Sequence, residues 1–160
     1  MTGFVAVVLP GAAPVESVLR AVGATAVLQW SELATSPEPD ETATVVFDVG
    51  ADEAVGLADD VAAALTALMS APQAAIATVR PVTDTLKLVD GEGFLTGTAE
   101  REQHRFVGAP VAARLQVLRA LSVDPQNSLA AADVDRPRQT SLALLLALAE
   151  RGVTVLAGRS

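Results

Sequence analysis

Up to residue 79 the chain alternates between two kinds of segment, and this alternation limits its fold more than any other feature. FVAVVLP (4–10), TAVLQW (25–30), ATVVFDVG (43–50) and QAAIATV (73–79) are short apolar runs, rich in β-branched residues and closed by turn formers. Apolar runs of that length fit strands buried on both faces, as in a parallel sheet. The segments between them have helical spacing. In APVESVLRAVGA, Pro14 suits a first helical turn, Val15, Val18, Leu19 and Val22 share a face, and Gly23 is a stop. ADEAVGLADDVAAALTALMSAP (51–72) predicts a long helix whose first turn is acidic, which complements the helix dipole. SELATSPEPDET (31–42) is polar and proline-bearing and predicts a surface loop. The order predicts an α/β protein with an open, mainly parallel sheet between two helical layers. Ligands of such sheets sit at the carboxyl ends of the strands, here Pro10-Gly11, Trp30-Ser31, Asp48-Val49-Gly50 and Arg80-Pro81.

The pattern changes at Arg80. The first 79 residues hold one basic residue, Arg20, whereas Arg80, Lys87, Arg101, His104 and Arg105 follow one another closely. Within this stretch TLKLVDGEGFLTGT carries Asp90-Gly91 between Leu86 and Leu88 on one side and Phe94 and Thr96 on the other, a hairpin signature. An isolated hairpin is marginal in water, so an arm here must lie on its own domain or on a second subunit. HRFVGAP then returns to the sheet, PVAARLQVLRALSV (110–123) predicts a helix opened by Pro110, and DPQNSLAAADVDRPRQ (124–139) predicts a loop. TSLALLLALAERG (140–152) predicts a helix capped by Thr140 or Ser141 and stopped by Gly152, and VTVLAG (153–158) a last strand.

A length of 160 residues predicts one domain, 1–160, large enough for an unaided core. The absence of cysteine removes disulfides and thiolate metal sites, and a single histidine removes a multi-histidine site, so no metal is expected. A net charge of -8 with 3% aromatic residues argues against a nucleic-acid partner. The N-terminal apolar run has no basic flank and is cut by Pro10-Gly11, and no segment is long enough to span a bilayer, so the reading is cytoplasmic with no membrane partner.

PVTDTLKLVDGEGFLTGTAER, followed by a hydrophobic strand and Ala-Pro, resembles the arm region of 2-C-methyl-D-erythritol 4-phosphate cytidylyltransferases of isoprenoid biosynthesis. Pro81, Val82, Asp84, Thr85, Leu86, Lys87, Thr98 and Arg101 match that motif. Weaker matches are GATAVLQW, VVFDVGADEAV and QTSLALLLALAERGVTVLAG. The resemblance implies a three-layer, Rossmann-like fold of the nucleotide-diphospho-sugar transferase type, truncated, with a projecting β-hairpin arm over about 82–104. It also implies a homodimer in which each arm reaches across the other subunit. It places Asp48, Thr85 and Arg101 at substrate-binding positions and leaves the catalytic residues unknown.

The departures concern the anion-binding parts. The glycine-rich triphosphate loop of the family is replaced by LPGAAPVESVLRAVG, which passes almost directly from strand to helix. The family's arginine after the third strand falls on Ala51, the threonine before Pro110 falls on Ala109, and the only lysine, Lys87, lies in the arm. Cytidylyl transfer depends on positive charge held in place around a triphosphate, and single cationic contacts can carry large rate factors. The expectation is a relative that has lost CTP binding and catalysis and serves as a dimerising structural or regulatory protein, with a full-length homologue as a further, heteromeric partner. No cofactor is expected, magnesium with CTP entering only if the chain is active. Two alternatives stand beside this: an active cytidylyltransferase, and a binder of a less charged small molecule in the same pocket. Residue by residue, bland roles compete: Asp48 as a turn or cap residue, Lys87 as edge protection, Arg101 and Arg105 as ion-pair partners, and His104 as structural. Asp59-Asp60 and the run from Asp133 to Arg138 are expected to be solvated.

Overall fold

The computed structural model describes residues 3–10, 16–48, 56–123 and 138–158. Its strands are β1 (Phe4–Val8), β2 (Ala24–Gln29), β3 (Ala43–Phe47), β4 (Ala75–Pro81), β5 (Leu86–Val89), β6 (Leu95–Ala99), β7 (Arg105–Arg114) and β8 (Val155–Gly158). Its helices are α1 (Glu16–Ala21), α2 (Leu57–Ser70), α3 (Leu115–Ser122) and α4 (Arg138–Glu150). Six strands form one open sheet in the order β2-β1-β3-β7-β4-β8, and β5 and β6 form a separate two-stranded arm. All neighbours in the large sheet are parallel except at β7, which runs antiparallel to both β3 and β4.

The two helical layers follow from the side-chain alternation of the strands. Val5 and Val7 of β1 belong to one core with Trp30, Leu33, the α3 residues Leu115, Leu118 and Leu121, and the α4 residues Leu144, Leu145 and Leu148. Phe4, Ala6 and Val8 belong to the other with Leu19 of α1 and Leu57, Val61, Ala64 and Leu68 of α2. Every residue of β1 is buried, as a strand covered on both faces must be. The turn out of α1 places Gly23 at φ 104, a conformation that suits glycine and ends the helix where the sequence predicts.

Four expectations are corrected. The helix predicted over 110–123 begins only at Leu115, because the preceding residues continue β7 to Arg114. Val111 and Ala112 are fully buried in that strand, paired with Val46 and Val45 of β3 on one side and with Ala77 and Ile76 of β4 on the other. Pro110 is tolerated beside a register shift between Ala77 and Thr78, and its carbonyl accepts a 2.7 Å bond from the buried Thr78 hydroxyl. The predicted loop over 31–42 opens as a 3-10 helix, Trp30–Thr35, that buries Trp30 and Leu33. Arg119 of α3 holds the rest of that segment, donating to the carbonyls of Leu33 (3.1 Å), Ser36 (2.9 Å) and Glu38 (3.0 Å) and pairing with Asp40. The third correction concerns Asp60, which is buried in the first turn of α2 and ion-paired with Arg80 near the end of β4, while Asp59 is exposed as expected. The fourth is that α4 already includes Arg138, so Thr140 and Ser141 lie inside its first turn rather than ahead of it. The readings made for Gly11, Pro14, Val15, Val49, Gly50 and Ala51, and for the loop over 124–137 with its run from Asp133, lie outside the described residues.

Candidate functional site

The five parallel strands end at Val8, Gln29, Phe47, Pro81 and Gly158, all on one edge of the sheet. β1 lies between β2 and β3, so the connection after β1 runs to one side of it and the connection after β2 crosses to the other. Such a reversal opens a crevice at the carboxyl ends of the strands. Asp48 follows β3 at this edge and is 7% exposed. The Ser141 hydroxyl, in the first turn of α4, donates to its Oδ2. A buried carboxylate needs such donors, and the start of a helix adds its own positive partial charge. Ser141 is legible in sequence only as a helix cap; its tie to Asp48 joins residues 93 apart.

The arm leaves from the same edge, after β4. Thr85 and Arg101 are exposed at its base, where Arg101 Nη1 donates 2.7 Å to the Thr83 carbonyl and so ties the outgoing strand to the returning one. Arg101 and the Thr83–Thr85 segment are thus brought together, whereas Asp48 belongs to the buried end of β3. The other cations of the cluster also have local partners. Arg80 pairs with Asp60, Lys87 Nζ donates to Thr98 Oγ1 (3.0 Å), and Arg105 Nη1 donates to the carbonyls of Glu102 and His104 (both 2.7 Å). Nδ1 of His104 lies 2.9 Å from the Glu100 carbonyl. The Glu102 carboxyl is held below its ordinary pKa, chiefly by a hydrogen bond from its own backbone amide, with a smaller contribution from Arg101. At the tip, Asp90 Oδ1 accepts from the amides of Glu92 (3.0 Å) and Phe94 (2.9 Å), and Gly93 sits at φ 92. The hairpin therefore closes through a longer Asx-type loop than a two-residue Asp-Gly turn.

The protein-family model described as 2-C-methyl-D-erythritol 4-phosphate cytidylyltransferase matches residues 7–141, which takes in the ends of β1, β2, β3 and β4 and the whole arm. The chain belongs to that family. The fold agrees with solved cytidylyltransferase structures. It aligns with the 2-C-methyl-D-erythritol 4-phosphate cytidylyltransferase of Thermus thermophilus (18% identity, 99% of this chain and 72% of the other, TM-score 0.53). It also aligns with that of Francisella tularensis (13%, 99% and 92%, TM-score 0.58) and with the 4-diphosphocytidyl-2C-methyl-D-erythritol synthase of Anaerococcus prevotii (13%, 98% and 90%, TM-score 0.55). No curated protein matches the sequence significantly.

In this cytidylyltransferase family member the carboxyl edge carries a crevice of about 360 Å³ beside β1 and β2, bordered by Val8, Pro10, Gln29, Trp30, Ser31 and Ser122. None of its described lining side chains is charged, and Gln29, Ser31 and Ser122 supply hydrogen-bonding groups. Among the described residues no three acidic or histidine side chains gather into a metal-binding group. Asp48 is buried and accepts a hydrogen bond from the Ser141 hydroxyl of α4. No helix among the described residues is long and apolar enough to cross a membrane.

Proposed function

We propose that this member of the cytidylyltransferase family has lost CTP binding and catalysis and acts as a structural or regulatory protein that dimerises through its arm, with itself or with a full-length homologue. The observation that carries the reading is the contrast between arm and crevice. The arm leaves Leu88, Val89, Phe94 and Leu95 exposed, Leu95 by 71%, and Phe106 is exposed where the chain returns from it. A two-stranded ribbon cannot bury such a surface by itself, and a second subunit would. The crevice, by contrast, has no cation among its described lining with which to hold a triphosphate. Thr85 and Arg101 then serve as arm-base residues, and Asp48 as a buried anchor.

Two measurements test the two halves separately. Sedimentation at micromolar concentration is expected to show a dimer, and Leu95→Asp a folded monomer; a monomeric unaltered chain refutes the dimer. Calorimetric titration of CTP with magnesium to millimolar concentration is expected to give no saturable heat, and a saturable heat refutes the loss of nucleotide binding. The absence of charge among the crevice's described lining favours a second reading, a binder of an uncharged small molecule at the same edge. A raised melting midpoint with a polyol or sugar, and none with CTP, would replace the first reading by the second.

A further inference from the structure

A second concavity lies at the opposite, amino edge of the sheet, far along the strands from the crevice and the arm. It is a groove of about 510 Å³ between the C-terminal half of α2 and the start of β3. Its apolar wall is made by Ala43, Leu65, Leu68 and Met69, and its rim carries Glu41 and Arg114. A volume of this size accommodates a small molecule. Met69 is 65% exposed, and an exposed, unbranched thioether adapts readily to an apolar ligand.

Arg114 supplies the polar end. It is the last residue of β7, and its Nη1 donates to the main-chain carbonyl of Glu41. Among the described residues it forms no ion pair with a carboxylate, unlike Arg20, Arg80, Arg101 and Arg119. A guanidinium has five N–H donors, so one main-chain bond leaves capacity for a planar, bidentate acceptor. The exposed Glu41 carboxylate on the same rim opposes an anion, and solvent screening weakens that opposition. We infer that this groove binds a small aliphatic carboxylate, with its hydrocarbon along Leu65 and Met69 and its carboxylate on Arg114. The site is independent of the arm and of any nucleotide chemistry at the carboxyl edge.

The chain has two methionines, so methyl-labelled methionine gives a simple NMR readout, with Met69 assigned from Met69→Leu. Octanoate is the probe and 1-octanol its uncharged match. Octanoate is expected to shift the Met69 methyl along a saturable curve, with octanol binding about tenfold more weakly because it lacks the charge-assisted pair. Arg114→Gln is expected to abolish that preference, and Glu41→Gln to tighten octanoate binding. Equal binding of the two probes, an unchanged preference in Arg114→Gln, or a response that does not saturate overturns the inference. If Arg114→Gln does not fold, the probe preference of the unaltered chain and the Glu41→Gln result decide the matter.

Discussion

The pair Asp60–Arg80 makes an asymmetric prediction about stability. Asp60 lies in the first turn of α2 with its side chain 7% exposed, whereas the Arg80 side chain is 57% exposed. Removing either partner breaks the same bond but leaves different remainders. Arg80→Gln strands a buried carboxylate, a change that costs about 3–5 kcal/mol when the pair is fully buried. Two features reduce that figure here. Arg80 is open to solvent, which weakens the pair, and the N-terminal end of α2 offers the carboxylate about 0.3–1 kcal/mol. The expected cost of Arg80→Gln is therefore about 2 kcal/mol. Asp60→Asn leaves a neutral amide that still accepts a hydrogen bond, and Arg80 relaxes into water, so its expected cost is about 1 kcal/mol. The double variant should cost about 1.5 kcal/mol, since a neutral residue no longer needs the cation, which gives a coupling of about 1.5 kcal/mol between neighbours. Urea unfolding of the four proteins at one concentration reads these values directly, and Arg80→Gln should lower the melting midpoint by about 4–8 °C for a chain of this size. An Asp60→Asn cost equal to or above that of Arg80→Gln, or costs that simply add, would refute the argument.

Three further outcomes follow from named contacts. Ser141→Ala removes a donor from the buried Asp48 and should cost about 1–2 kcal/mol in urea unfolding; an unchanged midpoint would mean that the two do not bond. Leu144→Ala empties a fully buried position under α4 and should cost about 3 kcal/mol, whereas the half-exposed Leu142→Ala should cost well under half of that. NMR titration should find the Glu102 carboxyl below its ordinary pKa. Because its folded pKa is depressed, its contribution to arm order is present at neutral pH and is lost as pH falls through the lowered value. Arg101→Gln should reduce the depression without abolishing it, since the backbone amide is its largest single cause.

What can be read from the sequence is what local chemistry decides. The β-branched runs of β1, β3 and β4 have no polar alternation because both faces are covered, and that absence is visible in the one-letter string. Turn formers in the arm mark a hairpin before any coordinate is known, although the Asp90 side chain and Gly93, rather than Asp-Gly alone, shape its tip. The arm motif also carries the resemblance to the family.

Tertiary structure alone decided the rest. The alanine-rich segment around Val111 has no period that separates strand from helix, and it becomes a strand because β3 and β4 leave a gap of one strand between them. Asp60 reads as a solvated first-turn acid until β4 brings Arg80 across 20 residues to meet it. Asp48 and Ser141 acquire their partnership, and Leu65, Met69 and Arg114 their shared groove, only through elements distant in the chain. Backbone preferences act over a few neighbouring residues, whereas burial and charge pairing depend on which surfaces the packed sheet brings into contact. Local order is therefore legible in a sequence when a site assembled from separate elements is not.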